Sequence, residues 1–312
     1  MTIEAKIILD SISDEGIRLT TVQLRYPRFI HAELMTHRVF SRNASSSRAI
    51  PVAKMIEDIR RDPAMPIHWG SNKPGMQAGA EINEPVKLYA PITGEIVALS
   101  PQHVWLYQMD LAITVAQAYA EAGYHKQIVN RILEPWAHIN VVVTSTEWAN
   151  FFGLRSHPDA QPEIKVLSDM IQAEMMASVP FQLDESQWHL PYVLGSDWVD
   201  IKKHAKANRI TRDEPQYDEL ANLARKVSTA RCARVSYLTH DGRKTTIEED
   251  MDLHDKLVVA VPLHASPAEH QATPDKLGAG YTGEDWEHPE LHGNLRGWKQ
   301  YRKMLPGEFL PG

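Results

Sequence analysis

At 312 residues the chain is long enough for one large domain or two small ones, and 43% hydrophobic with 23% charged residues is the composition of an ordinary globular protein. A net charge of -7 argues against a nonspecific nucleic-acid binder, and the single cysteine, Cys232, excludes an intramolecular disulfide or a cysteine metal cage within one chain. Acids interrupt the first apolar residues and no run of about 18 apolar residues occurs, so neither a signal peptide nor a membrane span is expected, and a reducing cytoplasm fits.

Residues 3–9 and 18–25 are rich in Ile, Leu, Val and Thr around Asp-Glu-Gly, which predicts two strands joined by a turn. Pro27 should end the second strand, and Phe29, Ile30, Leu34 and Met35 then fall at helical spacing, a short helix running into Thr36-His37-Arg38. The serine-rich stretch up to Pro51 reads as a loop, and residues 62–100 as a long irregular excursion. Ser100-Pro101 opens a helix over 102–122 that Gly123 ends, and a second covers 125–133 and stops before Pro135. Residues 139–143 and 148–154 fit helix or strand equally. Helices are expected at 159–178, with Ile164, Leu167, Met170 and Ile171 on one face, and at 214–230. Residues 181–212 read as a linker or lid and 273–293 as a loop. No repeat, low-complexity tract or clean domain boundary appears.

The densest local signal is Thr36 to Arg48, where three arginines and four serines share thirteen residues without an acid. Guanidinium forks and hydroxyls suit phosphate oxygens, which makes this a candidate anion site. A solvated polar loop with helix-capping arginines is the plainer alternative. Arg155 and Asn150 lie in an aromatic-rich apolar segment where a polar group needs partners, and Asp159 or Glu163 would supply a structural one for the arginine. Downstream, His264, Glu269 and His270 form H-x4-E-H, a spacing that matches no standard zinc motif. A metal-dependent hydrolase built on the histidine-rich last third is the reading that motif alone would allow.

His37-Arg38, seven further residues and Ser46 resemble the R-H-R-x7-S signature of flavin-dependent thymidylate synthases, with Ser41, Asn43 and Arg48 also in register. The chain departs from it at Thr36, where the family has arginine, at Ala49, usually tyrosine, and at Glu33, usually glutamine. Lys126–Pro135 resembles the family's nucleotide-holding helix, with Arg131 in the arginine's place. Asn150–Arg155 and Ala160–Ile164 are similar to its N-F-x-x-L-R and A-Q-x-E-I segments. Ala233–Tyr237 and His264–His270 resemble segments that the family carries before its signature, whereas here they follow it, so the order looks circularly permuted.

The resemblance implies an α+β fold with a central, mostly antiparallel sheet flanked by helices, as one unit over 1–312 with insertions near 62–100 and 181–212. It implies reductive methylation of dUMP to dTMP, with FAD as cofactor and methylenetetrahydrofolate and NADPH as co-substrates, in a homo-oligomer, a tetramer by family. Glu33, Ser46, Arg48, Arg131 and Arg155 would bind the nucleotide, and Arg155 and Ser46 take the catalytic places. His37, Arg38, Asn150, Ser236, His264, Ser266 and Glu269 would contact FAD. The departures leave open a dCMP substrate, a 5-hydroxymethyl product, or a relative that binds flavin or nucleotide without turnover. No metal, nucleic acid or membrane is implied. The resemblance does not account for residues 62–100, 181–212 and the tail beyond 273.

Overall fold

The computed structural model describes residues 2–89, 94–208, 214–235, 243–259, 263–278 and 285–308. Its first two elements, β1 (Glu4–Ser13) and β2 (Arg18–Pro27), form the expected antiparallel hairpin, and Gly16 turns the chain at φ 78°, a conformation that costs little only without a Cβ. A 3-10 turn at Arg28–Ile30 leads into the short helix α1 (His31–Met35).

The serine-rich stretch is only partly a loop. Residues Ser41–Ala44 form strand β3, and helix α2 (Val52–Arg61) follows Pro51. Strand β3 has no apolar alternation to announce it; it exists because its backbone pairs with a neighbouring strand, a tertiary contact that overrides weak local propensity. The 62–100 excursion likewise contains a hairpin, β4 (Val86–Tyr89) with β5 (Ile96–Leu99).

Helix α3 (Pro101–Glu121) is capped by the Ser100 side chain, which accepts from the His103 amide, and it ends before Gly123 at φ 84°. Helix α4 (Lys126–Leu133) follows. The two ambiguous segments separate cleanly: β6 (His138–Ser145) is a strand and α5 (Ala149–Arg155) a helix. Then come α6 (Pro162–Ala177), with Ile164, Leu167 and Ile171 buried, and the short strand β7 (Phe181–Leu183). The expected linker at 181–212 is structured: besides β7 it holds α7 (Asp197–Ala207), whose Ile201 and Ala205 are buried at i, i+4 spacing. Helices α8 (Tyr217–Arg234) and α9 (Ile247–Val259) precede the tail, in which β8 (Ala272–Pro274) pairs with β9 (Trp298–Gln300).

The main sheet has the order β3-β6-β2-β1-β7 and is antiparallel except for the β1–β7 pair. It is covered on both faces. Val22, Leu24, Val141 and Val143 pack against Phe151 of α5 and Ile164, Leu167 and Ile171 of α6. On the opposite face Val142 meets Tyr192, Cys232 and Val235 at the end of α8. Helices α2, α3 and α4 share a second core around Met109, Ile113, Val129 and Leu133.

The face toward α8 also carries a buried polar chain. Ser11 Oγ meets His189 Nδ1 at 2.8 Å, and His189 Nε2 meets Thr21 Oγ1 at 2.8 Å. Thr21 Oγ1 lies 2.6 Å from Thr144 Oγ1, which lies 2.8 Å from His270 Nδ1. Burial pushes both imidazoles down to about 3, so they are neutral bridging groups that fasten residues near 189 and 270 to the sheet.

Candidate active site

Arg155 sits in the last turn of α5, where a cation suits the helix dipole, and its guanidinium reaches back over α1. It makes three side-chain contacts there: Nε donates to His37 Nε2 (3.0 Å), Nη1 to Glu33 Oε2 (3.4 Å) and Nη2 to Thr36 Oγ1 (3.2 Å). Its ion-pair partner is thus Glu33, in place of the Asp159 or Glu163 expected of a purely structural arginine. His37 accepts at Nε2, which fixes the tautomer with its proton on Nδ1. Burial, with Arg155 and Arg42 nearby, lowers its pKa and keeps it neutral. Its ring packs edge-on against Phe151 (4.9 Å) and beside Phe40 (5.8 Å). Thr36 closes α1 by donating its hydroxyl to the Glu33 carbonyl (2.7 Å). Burial raises the pKa of Glu33 while Arg155 opposes the shift.

The loop after β3 is tied down from beneath. Buried Asn130 of α4 donates to the carbonyls of Ser47 (2.7 Å) and Ile50 (2.9 Å), Lys126 donates to the Ala49 carbonyl (2.9 Å), and Ser47 Oγ donates to Glu134 (2.7 Å). Ser46 and Arg48 remain on the outside, with Ser46 Oγ accepting from the Arg48 amide (3.3 Å). Arg38, Arg48 and Arg131 are exposed, and none has a side-chain partner among the described residues. A loop fixed by α4 that presents free guanidiniums suits an anion.

Residues Ser266–Glu269 form a 3-10 turn against β3, and the Asn43 amide donates to the Ser266 carbonyl (3.3 Å). His264 and Ser266 are exposed there, and half-buried Glu269 is ion-paired with Arg302. Asn150 lies on an open pocket of about 550 Å³ with Val39, Thr146 and Trp148, and the buried Thr146 hydroxyl lacks a partner among the described residues. Ser236 falls outside the described residues. The structure therefore draws Glu33, His37 and Arg155 into direct contact and sets Ser266 beside β3, while Arg38, Ser46, Arg48, Arg131, Asn150 and His264 stand open to solvent.

Three residues of the tail escaped the sequence reading. Asn294 Nδ2 donates to the Val39 carbonyl (2.9 Å), and Gln300 Nε2 donates to Asn294 Oδ1 (2.9 Å) and to the Glu269 carbonyl (3.1 Å). With Arg302 they brace β3 and the 266–269 turn. Nothing in a Gly- and Pro-rich tail marks isolated Asn, Gln and Arg residues for this role.

The family model described as thymidylate synthase complementing protein matches residues 19–181, just over half of the chain. The chain belongs to that family. The match runs from β2 to β7, so it holds Glu33, the residues from Thr36 to Arg48, Arg131, Asn150 and Arg155 and leaves out Ser236, His264, Ser266 and Glu269. Among solved structures, a UMP/dUMP methylase, PolB, from Streptomyces cacaoi bound with 5-Br dUMP is 16% identical, with a TM-score of 0.41 over 56% of this chain and 90% of that one. The same methylase bound with 5-Br UMP is 17% identical, with a TM-score of 0.39 over 56% of this chain and 88% of that one. No curated protein matches the chain. Among the described residues no helix is long and apolar enough to cross a membrane, and no group of three or more His, Cys, Asp or Glu side chains is placed to hold a metal ion.

Proposed function

We propose that this member of the thymidylate synthase complementing family transfers a one-carbon unit to C5 of a pyrimidine deoxynucleoside monophosphate, the reaction type that turns dUMP into dTMP. The observation that carries the reading is the convergence on Arg155 of Glu33, Thr36 and His37, which joins two separated parts of the family match in one polar cluster.

Arg48, Ser46 and Arg131 take the nucleotide phosphate: all are exposed, and the two guanidiniums are unpaired among the described residues. Arg155 lies beside the base, where its charge favours electron density on the ring. The residues present fit a flavin: Asn150 and the orphaned Thr146 hydroxyl offer hydrogen bonds, and Val39 and Trp148 an apolar wall. Arg38, His264 and Ser266 add exposed polar groups on the adjoining loops. FAD, when bound, supplies the hydride that reduces the transferred carbon, methylenetetrahydrofolate the carbon, and NADPH the electrons. Cys232 is unsuited to replace such chemistry by attacking the base, because it is fully buried and burial pushes its thiol well above the usual range.

The packing of residues 266–269 on β3 supports a permuted order within one folding unit, since segments more than two hundred residues apart meet. The open site favours a homo-oligomer. Helix α3 exposes Tyr107, Leu111, Val115 and Tyr119 four residues apart, an apolar stripe suited to a second copy.

Mass spectrometry of the nucleotide after incubation with FAD, NADPH, methylenetetrahydrofolate and either dUMP or dCMP tests the proposal. A gain of a methyl group establishes synthase activity, and a hydroxymethyl gain moves the product to the other oxidation level. Nucleotide unchanged in the presence of bound flavin would refute turnover and leave a binding protein.

A further inference from the structure

The edge that Arg155 and Glu33 present has a definite hydrogen-bonding order. A guanidinium carries five N–H groups. His37, Glu33 and Thr36 take one each, from Nε, Nη1 and Nη2 respectively. One donor is left on each terminal nitrogen. Glu33 stands at the Nη1 side, and its Oε1 has no partner among the described residues. The Thr36 hydroxyl hydrogen is already committed to the Glu33 carbonyl, so it adds no donor to the row. Both partners keep access to solvent, with Glu33 36% and Arg155 20% exposed. The row therefore reads acceptor, donor, donor.

The Watson–Crick edge of cytosine reads donor, acceptor, acceptor: the exocyclic amine, N3 and the 2-carbonyl. It complements the row at all three positions. Uracil offers a 4-carbonyl and an N3–H, so a carboxylate oxygen would face a carbonyl and a guanidinium N–H would face another N–H. Adenine matches only two positions. We propose that Glu33, with Arg155, selects a cytosine base, so that the site takes a cytosine deoxynucleoside monophosphate in preference to its uracil counterpart. This rests on the proposed placement of a pyrimidine beside Arg155. Thr36 and His37 act as positioning residues, because they hold the guanidinium plane and do not reach the base.

Equilibrium binding of dCMP and dUMP to the full chain and to Glu33→Gln tests it without requiring turnover. The native chain should bind dCMP at least about tenfold more tightly than dUMP, since uracil would set a carbonyl against the carboxylate and an N–H against an N–H, leaving two hydrogen bonds unmade. Glu33→Gln can turn its amide to face either base, so the preference should shrink to within about threefold. The side chain is partly exposed, so the variant should fold as the native chain does, and a thermal melt checks it. Equal or tighter binding of dUMP by the native chain, or an unchanged ratio in Glu33→Gln, overturns the cytosine assignment while leaving the proposed function standing. Failure of both nucleotides to bind overturns the proposed function itself.

Discussion

Removing one amide, that of Asn130, should unfasten the loop that carries Ser46 and Arg48. The side chain is fully buried, and its Nδ2 donates to two carbonyls, of Ser47 and Ile50, on the far side of the contact between α4 and the loop. Asn130→Ala removes both hydrogen bonds at about 1 kcal/mol each and leaves two carbonyls to find other donors, so the loss should lie at about 2–4 kcal/mol. For a chain of this size that corresponds to a fall in Tm of roughly 3–6 °C. The damage should be local as well as global. Amide exchange at residues 45–51 should accelerate more than exchange in β2 or α6, to which the Asn130 side chain makes no hydrogen bond among the described residues. Nucleotide affinity should fall with it, because Arg48 would then lose its fixed position relative to Arg131. The measurements are a thermal melt, hydrogen exchange read by mass spectrometry, and a binding isotherm for dCMP and dUMP. A variant that melts within 1 °C of the native chain, with unchanged exchange at 45–51, would refute the claim that α4 holds this loop.

Three further outcomes are expected. His189 and His270 are neutral in the fold, with pKa values near 3, and gain protons on unfolding below about 6.5, so stability should be full above that pH and decline as the pH falls toward 3. At pH 5 the two together should cost about 4 kcal/mol, seen as a lower urea midpoint than at pH 7.5; coincident midpoints would contradict the neutral assignment. Arg48→Gln and Arg131→Gln should each weaken nucleotide binding about tenfold with little change in Tm, since both side chains are exposed and unpaired among the described residues; unaltered affinity would move the phosphate elsewhere. Cys232→Ala should retain turnover and lose about 1–2 kcal/mol of stability, and alkylation of the native thiol should be negligible; loss of turnover in a folded variant would restore Cys232 to the chemistry.

The elements legible in the sequence are those whose burial is written in their own periodicity. The β1–β2 hairpin has its β-branched runs, α3 its Ser-Pro start and Gly123 stop, and α6 its apolar face. Strand β3 was not legible, because Ser41-Arg42-Asn43-Ala44 becomes a strand only by pairing with β6. In α7 the signal was present, Ile201 and Ala205 four apart, but nearby Pro and aromatic residues masked it. For the site, the sequence supplied the residue types but not their partners. Thr36 stood where the family has a cation, and its hydroxyl accepts from Arg155; Glu33 stood where the family usually has glutamine, and it is the arginine's counter-ion. Two departures from the family's pattern thus meet on one side chain. Restoring arginine at 36 would set a second guanidinium beside that of Arg155, and Glu33 is the acid placed to offset it.

The bracing of β3 and the 266–269 turn by Asn294, Gln300 and Arg302 sets a schedule on how the protein is made. A ribosome delivers the residues from Thr36 to Arg48 early, yet the groups that steady them leave the tunnel some 250 residues later, so the nascent chain must carry an unfinished site for most of its synthesis. A stop codon just before Asn294 would yield a chain that retains every residue of the family match and still lacks the struts for β3.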